Sequence, residues 1–578
     1  MSAAGLLGLA AFVAVFTTAG LGVLVALEGT PHLRSVVLDL GLAYLLGVVS
    51  LGSVLTLAVL AGVPFSATTM LVGAAVFALG GVLVGRARGR REEIEGPRAG
   101  RYGYLVAAGL LALVLVVVEA YFRAGRLHGL FGFDAGAFWT PKAAALHAAG
   151  EFDEAHFASF PAPSYPPLVP MLQAAFFELR GEVDLVGLHL VYWSWLAGFV
   201  AASARLLLRV ANPVLVWGML LLLLVAGQAK KDALTPQADL FQDVVLGLGV
   251  LFVARWLADR RTSSLVGALL FVSALALVKR EGYLFAACVA GAVLLACGLR
   301  TRSSWGHAAL FALLPVAVAL PWRVWFTRRS LVGDGPDVGV LDLADHADRV
   351  APATWLVLRT LADVDVWPAV LVVALAAAVG ALLAGERTLP VFTLSLLGLT
   401  AVGYVWTMWA FTSLPITQDN SQNPITRLVG GALVPAALLS PILLQRVLDA
   451  TGWEAPRAPT HRLRVAAVAA VAAVAVAYPV GVLALEGAPR FPSRADCAAL
   501  AAPDATEFVL VYDHRSWLPT ARAVRDRLAE VGFADAEVRA DGCGGWEVVN
   551  PGVQTLEQAR GHIEDARRVG FEPRLEER

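Results

Sequence analysis

The chain has 578 residues, of which 58% are hydrophobic and 16% charged, with a mean hydropathy of +0.68 and a net charge of -1. Soluble domains carry roughly 25% charged residues, so this much apolar surface requires a bilayer. The near-zero charge excludes nucleic-acid binding as the main activity, and four cysteines are too few for a disulfide scaffold.

Apolar runs near the ~20 residues that a spanning helix needs recur along the chain. They predict spans at 4–27, 35–62, 66–85, 102–122, 184–208, 212–227, 238–257, 263–278, 283–299, 305–326, 367–385, 390–412, 427–445 and 464–485. The first, Leu6 to Leu27, lacks a basic leader and is expected to be a retained span rather than a signal peptide. The cationic connector with Arg86, Arg88, Arg90 and Arg91 belongs on the cytoplasmic side by the positive-inside rule. The basic stretches Arg255 to Arg261, Leu299 to Arg302 and Arg457 to Arg464 then fall on that side too, as solvated caps. The segment 166–180 is apolar but short, and this orientation requires it to dip in and return or to lie at the interface. Cys288 and Cys297 read as small core residues. Cys497 and Cys543, both in the tail, could pair in an oxidising compartment.

The opposite, external side receives the informative polar residues. The loop 123–165 carries His128, Asp134, Trp139, Lys142, His147, Asp153, His156 and Tyr165. A loop this long and this aromatic is expected to be ordered and functional. Three more clusters share its side. They are Lys230, Lys231, Asp232, Asp239 and Asp243; the turn Lys279, Arg280, Glu281 and Gly282; and the stretch from Gln418 to Arg427. Ionisable groups at a membrane boundary are costly unless paired or facing water, so their convergence predicts a polar external cavity. The alternative is ordinary loop charge.

These residues resemble a known family. Phe133, Asp134 and Ala135 followed by Trp139 and Lys142, then Tyr165, Pro166, Pro167 and Leu168, look like the first external loop of the glycosyltransferase C superfamily. The run Gln237, Ala238, Asp239 and Leu240 is similar to a stretch in many bacterial members. The turn from Lys279 to Gly282 resembles their Lys-Asn-Glu-Gly turn, with Arg280 in place of Asn. The resemblance covers about 102–445. It departs from the family in lacking an obvious acidic pair at Asp134 and Ala135, and three spans precede the apparent core. It implies transfer of a sugar from a polyprenyl-phosphate-linked donor to a glycan, lipid or protein acceptor, without nucleic acid as a partner. Asp134 would be the catalytic base. Lys279, Arg280 and Arg427 would hold the donor phosphate, with Lys230 and Lys231 as weaker candidates. Asp239, Glu281, Trp139, Lys142 and Tyr165 would serve sugar or acceptor. Trp139 and Tyr165 equally suit an interfacial aromatic belt, and Glu281 equally suits a salt bridge to Lys279 or Arg280. The resemblance implies no certain cofactor. A divalent metal is compatible with the family, though no HxxH or CxxC spacing points to one.

From about 490 the composition turns soluble. The pattern predicts strand Glu507 to Tyr512, helix Pro519 to Val531, strand Ala536 to Ala540, strand Trp546 to Asn550, helix Leu556 to Val569 and a short strand near Pro573. This βαββαβ order is a ferredoxin-like split motif. Its two halves end their helices alike, in Val531, Gly532 and Phe533 and in Val569, Gly570 and Phe571. That repeat resembles the SPOR domains, which in other proteins bind septal peptidoglycan; acceptor docking and a purely structural role stay open. The expected organisation is therefore an all-α polytopic membrane protein with a small α+β domain. Segment 1–101 forms N-terminal spans, 102–485 a catalytic membrane domain of the glycosyltransferase C kind, and 486–578 the external tail. The expected location is the inner or plasma membrane. Rival readings are a transporter or flippase of lipid-linked sugars and a non-catalytic scaffold for the cell wall.

Overall fold

The computed structural model describes residues 3–31, 36–89, 96–97, 99–125, 134–160, 162–331, 343–411, 425–452, 460–486, 508–515, 518–540, 546–551 and 555–577. His128, Phe133, Arg90, Arg91, Arg457, Cys497, Cys543 and the stretch from Gln418 to Pro424 lie outside these residues, as does the side chain of His156.

The protein is a multi-pass helical membrane architecture followed by a small antiparallel sheet. Among the described residues, ten helices are long and apolar enough to cross a membrane, and three shorter apolar helices are Thr262–Val278, Glu281–Cys297 and Val370–Leu383. Two further helices, Pro213–Leu224 and Gly227–Leu234, meet at 66°, the shape of a broken span or a re-entrant loop. Every expected span falls on one of these elements. The bend was not anticipated. A break inside a bilayer frees backbone groups that must find partners, and neighbouring elements supply them. The Tyr121 hydroxyl donates to the Leu224 carbonyl, and the Gln228 amide donates to the Val366 carbonyl at 3.4 Å.

The segment 166–180 contains a 13-residue helix, Leu168–Arg180, too short to cross, with its residues from Leu168 to Phe177 buried. The first three spans pack through small residues, as membrane helices do when backbones must touch. A Cβ on Gly20 would lie 1.6 Å from the Ala43 carbonyl oxygen, and one on Gly47 would lie 1.7 Å from that of Phe16.

The described arginines of the basic connectors are exposed, as expected of solvated caps, except Arg255, which turns inward to join a buried cluster. Arg205 binds both Asp39 and Glu28, the latter at 2.6 Å, and Arg255 and Arg209 also reach Glu28. The Arg205, Asp39 and Glu28 side chains are all but fully buried. Three arginines around two acids therefore form a buried knot that ties the ends of four spans together. Buried charges persist only when paired in this way.

In the tail, β1 (Phe508–Arg515), β2 (Glu537–Ala540), β3 (Trp546–Asn550) and β4 (Arg574–Glu577) form one sheet in the order β2-β3-β1-β4. All three pairings are antiparallel. With helices Leu518–Glu530 and Leu556–Arg568 this is the expected split βαββαβ motif. The two Val-Gly-Phe repeats are a repeated helix ending. Phe533 N–H returns to the Leu528 carbonyl and Phe571 N–H to that of Ala566, both at 2.9 Å. Gly532 and Gly570 have φ of 105° and 89°, the left-handed region that glycine enters without strain. Each phenylalanine then folds back onto the tail's own apolar core.

Candidate functional site

The site is assembled from four chain segments that meet at one end of the bundle. The first supplies Asp134, just before a π-helical turn over Ala135–Trp139. The second opens the helix Ala238–Asp259 with Gln237 and Asp239. The third is the turn between Thr262–Val278 and Glu281–Cys297. That turn is tight because Gly282 allows it: a Cβ there would sit 2.0 Å from the Leu275 carbonyl oxygen. The fourth is the short helix Ile425–Leu428, which carries Arg427.

Their charges form one alternating chain. The Arg427 guanidinium lies 2.8 Å from an Asp134 carboxylate oxygen and 3.8 Å from Asp239. It also donates to Gln237 Oε1 at 3.4 Å. The other Asp239 oxygen accepts from Lys279 Nζ at 2.8 Å, and Lys279 reaches Glu281 at 3.4 Å. The two inner members are sealed, with side-chain exposures of 4% for Asp239 and 3% for Lys279. The outer members meet solvent, at 21% for Asp134, 26% for Arg427 and 19% for Glu281. The gradient matters. An enclosed pair fixes the geometry, and the more exposed Asp134–Arg427 ion pair is what a ligand can reach.

Burial alone would lower the Lys279 pKa, but the carboxylates of Asp239 and Glu281 outweigh it and the net shift is upward. Lys279 is thus a permanent cation. Arg280 points the other way and lies over the Tyr165 ring, 4.7 Å from its centroid. Burial, with help from the Glu281 charge, raises the Tyr165 hydroxyl. Tyr165 remains a neutral phenol against which the guanidinium stacks.

No family model matches the chain, and no curated protein or solved structure matches it either. The chemistry rests on the geometry alone.

Of the residues singled out in the sequence, Asp134, Asp239, Lys279, Glu281 and Arg427 converge, and Arg280 with Tyr165 borders them. Trp139 and Lys142 do not face the site. Trp139 is 1% exposed and packs edge-on to Tyr165 at 5.4 Å. Lys142 is fully buried, donates to the Ala162 carbonyl at 2.6 Å and lies over the Phe138 ring. Both brace the loop that presents Tyr165, and neither offers a surface to a sugar. Lys230 and Lys231 are exposed on the helix Gly227–Leu234 and take no part in the charge chain. His147 pairs with Glu178 at 3.0 Å and is structural. Among the described residues no group of three or more His, Cys, Asp or Glu side chains is placed to hold a metal ion.

Three residues were under-read from the sequence. Gln237 was noted only as part of a motif, yet it helps hold Arg427. Asp232 and Asp243 are 1% and 8% exposed and line one small, mostly apolar cavity. The legible signal was the spacing of Asp239 and Asp243, four apart on an apolar helix, where like charges repel. Asp243 is accommodated at the start of the helix Gly430–Ala450, where a Cβ on Gly430 would lie 2.2 Å from its Oδ2.

Proposed function

We propose that the protein is a membrane glycosyltransferase that moves a sugar from a polyprenyl-phosphate donor to an acceptor hydroxyl on the external face. The observation that carries this reading is the Asp134–Arg427–Asp239–Lys279 chain: one reachable carboxylate beside cations whose positions are fixed by a buried acid. Glycosyl transfer needs both. The acceptor oxygen bonds to the anomeric carbon as that carbon's bond to the phosphate oxygen breaks. The acceptor proton passes to Asp134, and the prenyl phosphate leaves with the electron pair. A positioned base contributes roughly 10²–10⁴-fold to such a step. Arg427, with its planar fork, suits the phosphate oxygens. As it engages them, its hold on Asp134 weakens and the carboxylate is released to act as base. Lys279 adds fixed positive charge behind it, and Arg280 is anchored by Tyr165 at the rim.

A second reading has an observation of its own. The 66° break between Pro213–Leu224 and Gly227–Leu234, with Asp232 and Asp243 buried beside it, is a feature of transporters that bind substrate at a discontinuous helix. Against it, the reachable charges gather at one end of the bundle. Reconstitution separates the two. Proteoliposomes loaded with a polyprenyl-phosphate sugar and an acceptor panel should yield a new glycosidic product by mass spectrometry. Translocation of intact donor without any product or released sugar would favour the transporter.

A further inference from the structure

A second cavity lies at the opposite end of the bundle, and we infer that it binds the headgroup of an amine-bearing phospholipid. It has a volume of about 380 Å³, within the ~300–1,000 Å³ of small-molecule sites. Its walls are the final turns of Leu185–Leu207, Ala238–Asp259 and Gly430–Ala450 and the start of Thr388–Ala410. The helix Ala238–Asp259 carries Asp239 at one end and Arg255 at the other. Sixteen residues at 1.5 Å each separate them by about 24 Å, most of the ~30 Å hydrocarbon thickness. The cavity therefore opens at the level of the other leaflet, on the side of the basic connectors.

Its lining is amphipathic in a specific way. Leu206, Leu251, Leu389 and Ile442 make an apolar wall suited to acyl chains, while Arg209, Arg255 and Arg446 supply positive charge and Asp259 and Glu386 negative charge. Most of these charges are already engaged. Arg255 holds Glu28 and Asp259, and Arg209 reaches Glu28. Arg446 and Glu386 are different, because neither side chain has a hydrogen-bond or ion-pair partner among the described residues. One unspent cation and one unspent anion facing the same apolar-walled space match a zwitterion with a lipid tail. The phosphodiester of the headgroup pairs with Arg446, with Arg209 and Arg255 behind it. A primary ammonium, which has three donors, pairs with Glu386. A quaternary choline has the same charge but no N–H to donate, and an anionic glycerol headgroup leaves Glu386 unmatched and repelled. Basic pockets between spans on this face are an established way to hold lipid phosphates. Here the carboxylate adds the selection for an amine.

The test is native mass spectrometry of the purified full-length protein titrated with phosphatidylethanolamine, phosphatidylcholine and phosphatidylglycerol of one acyl composition. The wild type should retain phosphatidylethanolamine about tenfold more tightly than either other lipid, one decade being ~1.4 kcal/mol. Glu386→Gln should lower phosphatidylethanolamine retention about tenfold, to the level of phosphatidylcholine, while leaving phosphatidylcholine within about twofold. Arg446→Gln should weaken all three by about tenfold, and Arg446→Lys should restore most of the loss, since a point charge suffices for a single phosphate contact. Equal retention of the three lipids by the wild type, or tighter phosphatidylglycerol, overturns the inference without reference to any variant. Soluble glycerophosphoethanolamine should compete only at concentrations far above the lipid. Competition at equal concentration would assign the site to a free phosphoester and overturn the lipid assignment. None of these outcomes depends on glycosyl transfer at the other end of the bundle.

Discussion

Replacing Asp239 by Asn tests whether the buried acid organises the site. Asp239 is 3% exposed, accepts from Lys279 at 2.8 Å and attracts Arg427 at 3.8 Å. The amide keeps the shape and an acceptor oxygen but removes the charge. Lys279 is then a nearly sealed cation whose nearest carboxylate is Glu281, at 3.4 Å and partly exposed. Breaking a buried pair by removing one partner costs about 3–5 kcal/mol. The surviving hydrogen bond and Glu281 place Asp239→Asn near the lower end, at about 3 kcal/mol. Lys279→Met should cost a similar amount, because it strands Asp239 with only Arg427. Removing both charges in Asp239→Asn/Lys279→Met leaves neither member of the pair stranded and closes the cycle with the two singles. The double variant should therefore be more stable than the sum of the singles by about 2–3 kcal/mol, since replacing a whole buried pair is often near neutral. Denaturant unfolding in mixed micelles, followed by tryptophan fluorescence and compared at constant slope, measures all four proteins. A loss under about 1 kcal/mol for Asp239→Asn, or singles that add to the double within ~0.5 kcal/mol, would refute the idea that this pair is the site's anchor.

Arg427→Lys should lower transfer by about 10–100-fold with little change in folding, because a single ammonium cannot span Asp134, Gln237 and a phosphate as a planar fork does; turnover against phosphate-analogue affinity reads this out. Gly430→Ala should destabilise by about 1–3 kcal/mol, as for overpacking elsewhere, since the new Cβ meets the buried Asp243 carboxylate at 2.2 Å; a smaller loss paired with an unshifted Asp243 would count against the packing described. Gly570→Ala should cost the tail about 1 kcal/mol or more, because φ is 89° there, and hydrogen exchange at Phe571 should report it. Lys279 and Tyr165 both hold their protons more tightly folded than free. Their contribution is complete below their ordinary values, near 10, and decays as pH rises above them, so stability should fall on the alkaline side and Lys279→Met should flatten that fall.

Hydropathy made the spans legible because a bilayer demands long apolar runs whatever the packing. Alternation made the tail legible because βαββαβ order and two Val-Gly-Phe helix endings are local signals. What the sequence hid depends on pairs distant in the chain. Neither Glu28 nor Asp39 stands out in the sequence, because Arg205, which binds both, lies more than 160 residues away. The bend after Leu224 was invisible because Tyr121, whose hydroxyl supports it, lies on another span. The convergence of Asp134, Asp239, Lys279 and Arg427 could be anticipated from their common side. The direction each side chain faces could not. Lys142 looked like a site residue in a polar loop, yet a carbonyl and two aromatic rings hold its ammonium inside.

The central claim is that Asp134 takes the acceptor proton. The direct measurement is turnover of the purified protein in lipid at saturating donor, across a panel of labelled polyprenyl-phosphate sugars, for wild type and Asp134→Asn. The account predicts sugar transfer or release by the wild type and a loss of at least about 10²-fold in the variant, with unfolding midpoints unchanged. Turnover preserved in Asp134→Asn would contradict the assignment of the base.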